Sequence, residues 1–175
     1  MPEADLALLI AAAKIAGKIA LSHWKASPQV WEKPEGQGPV SAADLEVNEA
    51  LAGFLQAARP TYGWLSEETP DSVARLSTQA QFILDPIDGT RSFLQGDSAF
   101  SHALAVVQSG QVTAGVVYLP AMDKLYAATA QGAYHRARRR QGSRRDGERG
   151  PVRNPVTGDA ARAPAGERDD NKPRT

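Results

Sequence analysis

Two carboxylates three residues apart, Asp85 and Asp88, stand in the stretch Asp85-Pro86-Ile87-Asp88-Gly89-Thr90. Gln81-Phe82-Ile83-Leu84 before them reads as a buried strand ending at Asp85-Pro86, and Gly89 to Leu94 after them as a short helix. Hard divalent cations take carboxylate and carbonyl oxygens. Backbone amides at a helix start hold phosphate. Asp85, Asp88 and the Gly89 and Thr90 amides could therefore serve metal-assisted phosphate chemistry. Pro86 stiffens the turn, and Gly89 permits a close backbone approach to a ligand. The same six residues also fit a structural role, with Asp88 capping the helix and Asp85 closing a turn. Both readings stay open at this point.

Two more acidic positions bear on the choice. Glu67-Glu68 follows a second buried run, Tyr62-Gly63-Trp64-Leu65-Ser66. If the two strands are neighbours, Glu67 and Asp85 project from the same sheet end. Asp44 closes Ser41-Ala42-Ala43-Asp44, a capping box with Asp in place of the usual Glu or Gln. Taken alone, Asp44 reads as a cap and Glu67-Glu68 as a solvated loop. Lys33 lies in a Pro/Gly-rich loop and taken alone is an ordinary solvated lysine. His23, His102 and His135 are scattered, and none is assigned a catalytic role.

The elements that must position these groups follow from periodicity. Leu6, Leu9, Ile10, Ala13, Gly17, Ala20, Leu21 and Trp24 recur at helical spacing, predicting a helix over about 4–23. Pro28, Pro34, Pro39, Gly36 and Gly38 make 27–39 a loop, with a short strand at Val30-Trp31-Glu32. A second helix runs to about Ala58, where Pro60 stops it. One or two helical turns fit Asp71 to Leu76. His102–Val107 and Val112–Tyr118 flank Ser109-Gly110-Gln111 as a hairpin, and Lys124–Thr129 is a further strand. Two helices followed by a run of strands predict an α+β fold, helices packed on a mostly antiparallel sheet.

Composition narrows the classes. Among 175 residues there is no Cys, which excludes a disulfide scaffold, thiolate zinc sites and a cysteine nucleophile. The longest apolar run, Leu6 to Ala13, is too short to span a bilayer. Glu3 and Asp5 stand where an export signal would be basic. The expectation is a cytoplasmic protein with no membrane partner. The zero net charge hides a split: residues 1–134 carry eight Lys and Arg against fourteen Asp and Glu, and 135–175 carry twelve against six. The last 41 residues contain no Leu, Ile, Phe, Met, Trp or Tyr, and such a segment buries too little apolar area to offset its ordering entropy. The expected organisation is one domain over 1–134 and a disordered Arg-rich tail over 135–175.

Five stretches in order carry a resemblance: Val40-Ser41-Ala42-Ala43-Asp44, Trp64-Leu65-Ser66-Glu67-Glu68, Asp85 to Phe93, Gly115-Val116-Val117-Tyr118 and the small-residue turn Gly132-Ala133-Tyr134. Together they resemble the inositol monophosphatase superfamily of Mg2+-dependent, lithium-sensitive phosphomonoesterases, most of all its bacterial 3'(2'),5'-bisphosphate nucleotidase branch. The resemblance covers 1–134 and implies the N-terminal half of that family's layered α/β sandwich. It implies that Glu67, Asp85 and the Ile87 carbonyl hold a first Mg2+, and that Asp85 bridges to a second ion also bound by Asp88. It implies that Asp44 and Thr90 orient and help deprotonate the attacking water, that the Gly89 and Thr90 amides hold the phosphate, and that Lys33 helps close the site. Two divalent ions can stabilise both the attacking and the leaving oxygen of an in-line displacement.

The family's Trp-Asp-x-Ala-Ala-Gly-type motif, whose Asp completes the second metal site, is not found here. Gly158-Asp159-Ala160-Ala161 is read as a chance echo. The Arg-rich composition after 134 suits an out-of-frame reading of GC-rich coding DNA, so the expectation is a truncated, impaired phosphatase acting on a small phosphorylated substrate, with homodimerisation left open. Two alternatives stand beside it: an inositol-1-monophosphatase, and a non-catalytic fragment whose basic tail (Arg136 to Arg145) binds nucleic acid.

Overall fold

The structure, a computed structural model, describes residues 2–34 and 38–137, with side chains described through Ala133. Helix α1 (Pro2–His23) is followed by the short antiparallel pair β1 (Val30–Glu32) and β2 (Pro39–Ser41), then by α2 (Ala42–Ala58). The main sheet comprises β3 (Gly63–Ser66), β4 (Ala80–Asp88), β5 (Ser101–Gln108), β6 (Gln111–Leu119), β7 (Lys124–Thr129) and β8 (Gly132–Ala137), adjacent in that order. A 3-10 turn (Val73–Ser77) joins β3 to β4, and α3 (Thr90–Leu94) joins β4 to β5. β3 and β4 run parallel and every other pair in this sheet is antiparallel.

The fold is the expected α+β arrangement, helices on one face of a mostly antiparallel sheet. Alternate residues Phe82, Leu84, Leu104, Val106, Ala114, Val116, Leu125 and Ala127 are buried with the helices in one core, as the two-residue period of a strand requires. In α1 the buried seam is made largely of small side chains: Ala12, Ala13, Ala16, Gly17 and Ala20 beside Leu6 and Leu9. Leu21, expected on that seam, is 40% exposed. Small residues bring the helix close to the sheet. A Cβ on Gly17 would lie 2.6 Å from Tyr118 Cε1.

Three elements differ from the sequence reading. The loop 27–39 carries a second short strand, β2, whose pairing with β1 aims Ser41 at the start of α2. Gly132-Ala133-Tyr134, read as a turn, begins β8, which pairs with β7 through Ala137. Backbone pairing at a sheet edge does not depend on an apolar side-chain pattern. Strand β4 does not end at Asp85-Pro86 but runs to Asp88 through a register break between Asp85 and Asp88. Proline is tolerated within a strand at such a break because no ladder bond requires its missing N–H. The first residues of the tail expected to be disordered from 135 are paired in β8 through Ala137; the rest of that tail, with the Gly158-Asp159 echo, lies outside the described residues. Among the described residues no helix is long and apolar enough to cross a membrane.

Candidate metal centre

Parallel pairing of β3 with β4 sets Ser66 beside Leu84, so Glu67 and Asp85 leave adjacent strands at the same sheet end. The Glu67 amide continues the ladder onto the Leu84 carbonyl at 3.2 Å. Asp44 reaches this end from the first turn of α2, fully buried. The capping-box geometry read from the sequence is present there. Asp44 Oδ2 accepts from the Ser41 amide at 2.9 Å and from Ser41 Oγ at 2.5 Å. Its other oxygen faces Thr90. Thr90 Oγ1 lies 3.2 Å from Asp44 Oδ1 and 3.1 Å from the Ile87 carbonyl, so its single proton chooses between the two acceptors. Capping and a place in the site thus coexist in Asp44.

Asp85 is the centre of the cluster. Burial first, then the charges of Glu67, Asp88 and Asp44 and a hydrogen bond shared with Glu67, push its carboxyl up to about 7. Its Oδ1 is buried with no hydrogen-bond partner. Burial also raises Asp44. For Glu67, burial is outweighed by the Lys33 ammonium and by the hydrogen bond from Asp85, which hold it below the usual range. Asp88 is exposed and accepts from Ser101 Oγ at 3.3 Å. At the Gly89 turn φ is +90°, and a Cβ there would sit 3.0 Å from the Ala99 carbonyl. Glycine is therefore required for the chain to pass from β4 into α3.

Lys33 is not an ordinary solvated lysine. Its Nζ lies 2.8 Å from Glu67 Oε1 and 2.7 Å from Glu68 Oε1, and its side chain is 12% exposed. Burial works against its charge, but the hydrogen bonds of both glutamates hold its ammonium above the usual range. Glu68, read as half of a solvated pair, is 5% exposed at its side chain. Mutual neutralisation lets both go under the surface. Burial pushes Glu68 up, with Lys33 opposing.

Among the described residues no three His, Cys, Asp or Glu side chains are gathered onto one point at ligand distance. Like charges spread, and Lys33 holds Glu67 from the other side. What the fold assembles is three carboxylates, Glu67, Asp88 and Asp44, near Asp85, whose Oδ1 is buried and unpartnered. That donor set, with the Ile87 carbonyl beside it, suits a hard cation such as Mg2+.

Three supporting residues had no sequence signal. Asn48 on α2 accepts from Ser66 Oγ at 2.6 Å and donates to Thr69 Oγ1 at 3.0 Å, tying α2 to the end of β3. Ser101 and His102, read only as strand residues, face the Asp85–Asp88 segment across β5.

Comparison with known proteins bears on the fold and the family. The sequence profile described as the inositol monophosphatase family matches residues 1–166. An inositol-1-monophosphatase of Mesorhizobium japonicum is 42% identical over 93 residues, 53% of this chain and 35% of that protein. A 3'(2'),5'-bisphosphate nucleotidase CysQ of Salmonella typhimurium is 30% identical over 110 residues, 62% of this chain and 45% of its own length. Among solved structures, the extragenic suppressor protein suhB of Bartonella henselae superposes with a TM-score of 0.71 at 33% identity. The match covers 81% of this chain and 55% of that one. The chain thus spans about half the length, or less, of the relatives it matches.

Proposed function

The chain belongs to the inositol monophosphatase family, and from that premise we propose that its carboxylate end is the Mg2+-binding part of a phosphomonoesterase site. The observation that carries the reading is Asp85, half-buried, whose Oδ1 is buried and unpartnered amid Glu67, Asp88 and Asp44. Glu67, Asp85, Asp88 and the Ile87 carbonyl would hold the metal. Magnesium, when bound, supplies Lewis-acid charge at the phosphoryl group. A structure of a family phosphatase with Mg2+ and phosphate shares this fold, at a TM-score of 0.68 and 21% identity.

The chain's own groups do the rest. Thr90 Oγ1 takes a proton from the attacking water as its own proton passes to Asp44 Oδ1, 3.2 Å away. Burial raises Asp44, which makes it a better proton acceptor than an exposed carboxylate. The Gly89 and Thr90 amides receive a phosphate oxygen where β4 turns into α3. Lys33, held against Glu67 and Glu68, would help close the site, and would give up its Glu67 contact where that carboxylate serves as a metal ligand.

For substrate class the reading is a 3'(2'),5'-bisphosphate nucleotide, on the general likeness to the nucleotidase branch. A second reading, inositol 1-phosphate, is favoured by the 42% identity to the rhizobial inositol-1-monophosphatase. Homodimer formation remains part of the same proposal, and no nucleic-acid partner is invoked.

Titration calorimetry with Mg2+ tests the centre on this chain directly. Wild type is expected to bind saturably, and Asp85→Asn to lose that binding. Equal binding by both proteins, or none by wild type, would overturn the assignment. Phosphate release from 3'-phosphoadenosine 5'-phosphate against inositol 1-phosphate then separates the two substrate readings.

A further inference from the structure

His102 is the largest buried polar feature that this chemistry leaves unused. It is fully buried on β5, between the rings of Phe100 and Tyr118, each with its centroid 6.4 Å away. Its Nδ1 meets the Pro86 carbonyl at hydrogen-bond distance. Its Nε2 is buried with no partner. A carbonyl only accepts, so the proton sits on Nδ1 and Nε2 carries a bare lone pair. Leaving a buried polar atom unsatisfied is costly, so something must offset a histidine at this place.

The register of β4 against β5 supplies the reason. Asp85 pairs with Ala103 and Asp88 with Ser101. Two residues, Pro86 and Ile87, therefore oppose one, His102, which makes this a β-bulge. In an unbroken strand, side chains three apart lie on opposite faces. With one extra residue absorbed in the bulge, Asp85 and Asp88 stand beside Ala103 and Ser101, which are two apart and share a face. The bulge is thus what puts both aspartates on one side. Pro86 has no N–H to give at this break, and its carbonyl meets the imidazole of His102, the single residue facing the bulge. One residue further on, the Ile87 carbonyl lies 3.1 Å from Thr90 Oγ1.

We propose that His102 is the positioning residue of this centre: by donating Nδ1–H to the Pro86 carbonyl it locks the bulge that places the Asp85, Ile87 and Asp88 oxygens. The inference rests on the metal-centre reading for its consequence, but not for its structural half. His102 touches neither metal nor substrate. Outer groups that fix a ligand's orientation typically change metal affinity by roughly 10–100-fold when removed.

The test uses the full chain as wild type, His102→Asn, which keeps an N–H donor near Nδ1, and His102→Leu, which keeps the volume without a donor. Three readouts are taken: long-range 1H–15N spectra of the imidazole, amide hydrogen exchange across 87–90 with Leu104 and Val106 as controls, and Mg2+ affinity by calorimetry. Expected are an Nδ1–H tautomer in wild type, exchange across 87–90 faster by about tenfold or more in His102→Leu with the controls little changed, and Mg2+ binding weaker by about tenfold or more. His102→Asn is expected to restore most of both effects. An Nε2–H tautomer overturns the proposal, and that readout holds even if His102→Leu does not fold. Unchanged exchange and affinity in a folded His102→Leu overturn it too, as does equal damage from Leu and Asn, which would make volume the cause. A wild type that binds no Mg2+ while His102→Leu still loosens 87–90 upholds the role of His102 at the bulge and sinks the metal-centre reading instead.

Discussion

Asp85 and His102 titrate on opposite sides of their ordinary values, and the two together shape how the metal-free protein responds to pH. Asp85 goes from an ordinary 3.8 to about 7 in the folded state, through burial and neighbouring carboxylates. The folded protein therefore holds that proton more tightly than the unfolded chain, and stability falls as pH rises from about 4 to about 7. His102 goes from 6.5 to about 4 because it is buried. The unfolded chain takes up that proton first, so stability is lost as pH falls from about 6.5 to about 4. Over that shared window the slopes oppose and flatten the wild-type curve. Chemical denaturation at several pH values is expected to unmask each one. Relative to wild type, Asp85→Asn should tilt the curve toward rising stability with pH, and His102→Asn should tilt it toward falling stability. Saturating Mg2+ should act as Asp85→Asn does, because the cation favours the ionised carboxylate. An Asp85→Asn curve with the wild-type slope would remove Asp85 from this account.

Between α1 and the sheet, closeness does the positioning. Gly17 lets α1 approach β6 until the site of its missing Cβ is 2.6 Å from Tyr118 Cε1 and 3.1 Å from Pro120 Cβ. Tyr118 pairs across the sheet with His102, so this contact backs the layer that holds the bulge. Gly17→Leu is expected to push the helix off the sheet and lower stability by about 1–3 kcal/mol, the usual cost of overpacking. Urea unfolding measures it. Gly53 makes a matched control, since a Cβ there meets nothing within 4 Å. Gly53→Ala should leave stability equal or slightly higher through helix propensity. A Gly17→Leu variant as stable as wild type would show that α1 has room to slide. The first turn of α1 is tied to the segment just after α2 by Asp5, whose oxygens accept from Arg59 Nε at 3.0 Å and Tyr62 Oη at 3.1 Å. A displaced α1 would therefore also pull on the C-cap of α2.

On the scale of the whole molecule, the sheet has two unequal faces. One lies under the helices. The other presents Ile83, Ala103, Ala105, Gly115, Val117 and Tyr126 around an open apolar basin of about 930 Å³. Val117 is 40% and Tyr126 43% exposed. Apolar surface of this extent on a lone protein favours association. The chain by itself is expected to brighten 1-anilinonaphthalene-8-sulfonate and to self-associate with rising concentration in sedimentation velocity. Val117→Lys should weaken both effects while leaving the helix-side core intact. A monomer at all concentrations with no dye binding would show that the face is satisfied as it stands.

The carboxylates, their order and the α+β class were legible because each depends on local rules. Short apolar runs mark β3 to β7, a 3.6-residue period marks α1 and α2, and Ser41-to-Asp44 spacing marks a helix start. The resemblance adds roles for Asp44, Glu67, Asp85 and Asp88. Where these groups stand relative to one another depends on pairings that no local pattern encodes. Parallel β3–β4 pairing brings Glu67 beside Asp85. A bulge carries β4 past Pro86, although proline within a strand reads as its end. Lys33 and Glu68, both ordinary surface residues by type, go under the surface because each offsets the other's charge. His102 looks like one more residue of an apolar strand until the register sets it opposite two residues instead of one. Local sequence thus decided which groups are present and on which elements, while burial, partner and protonation were decided only when distant elements met. These last are properties of the surroundings, and the surroundings exist only in the folded chain.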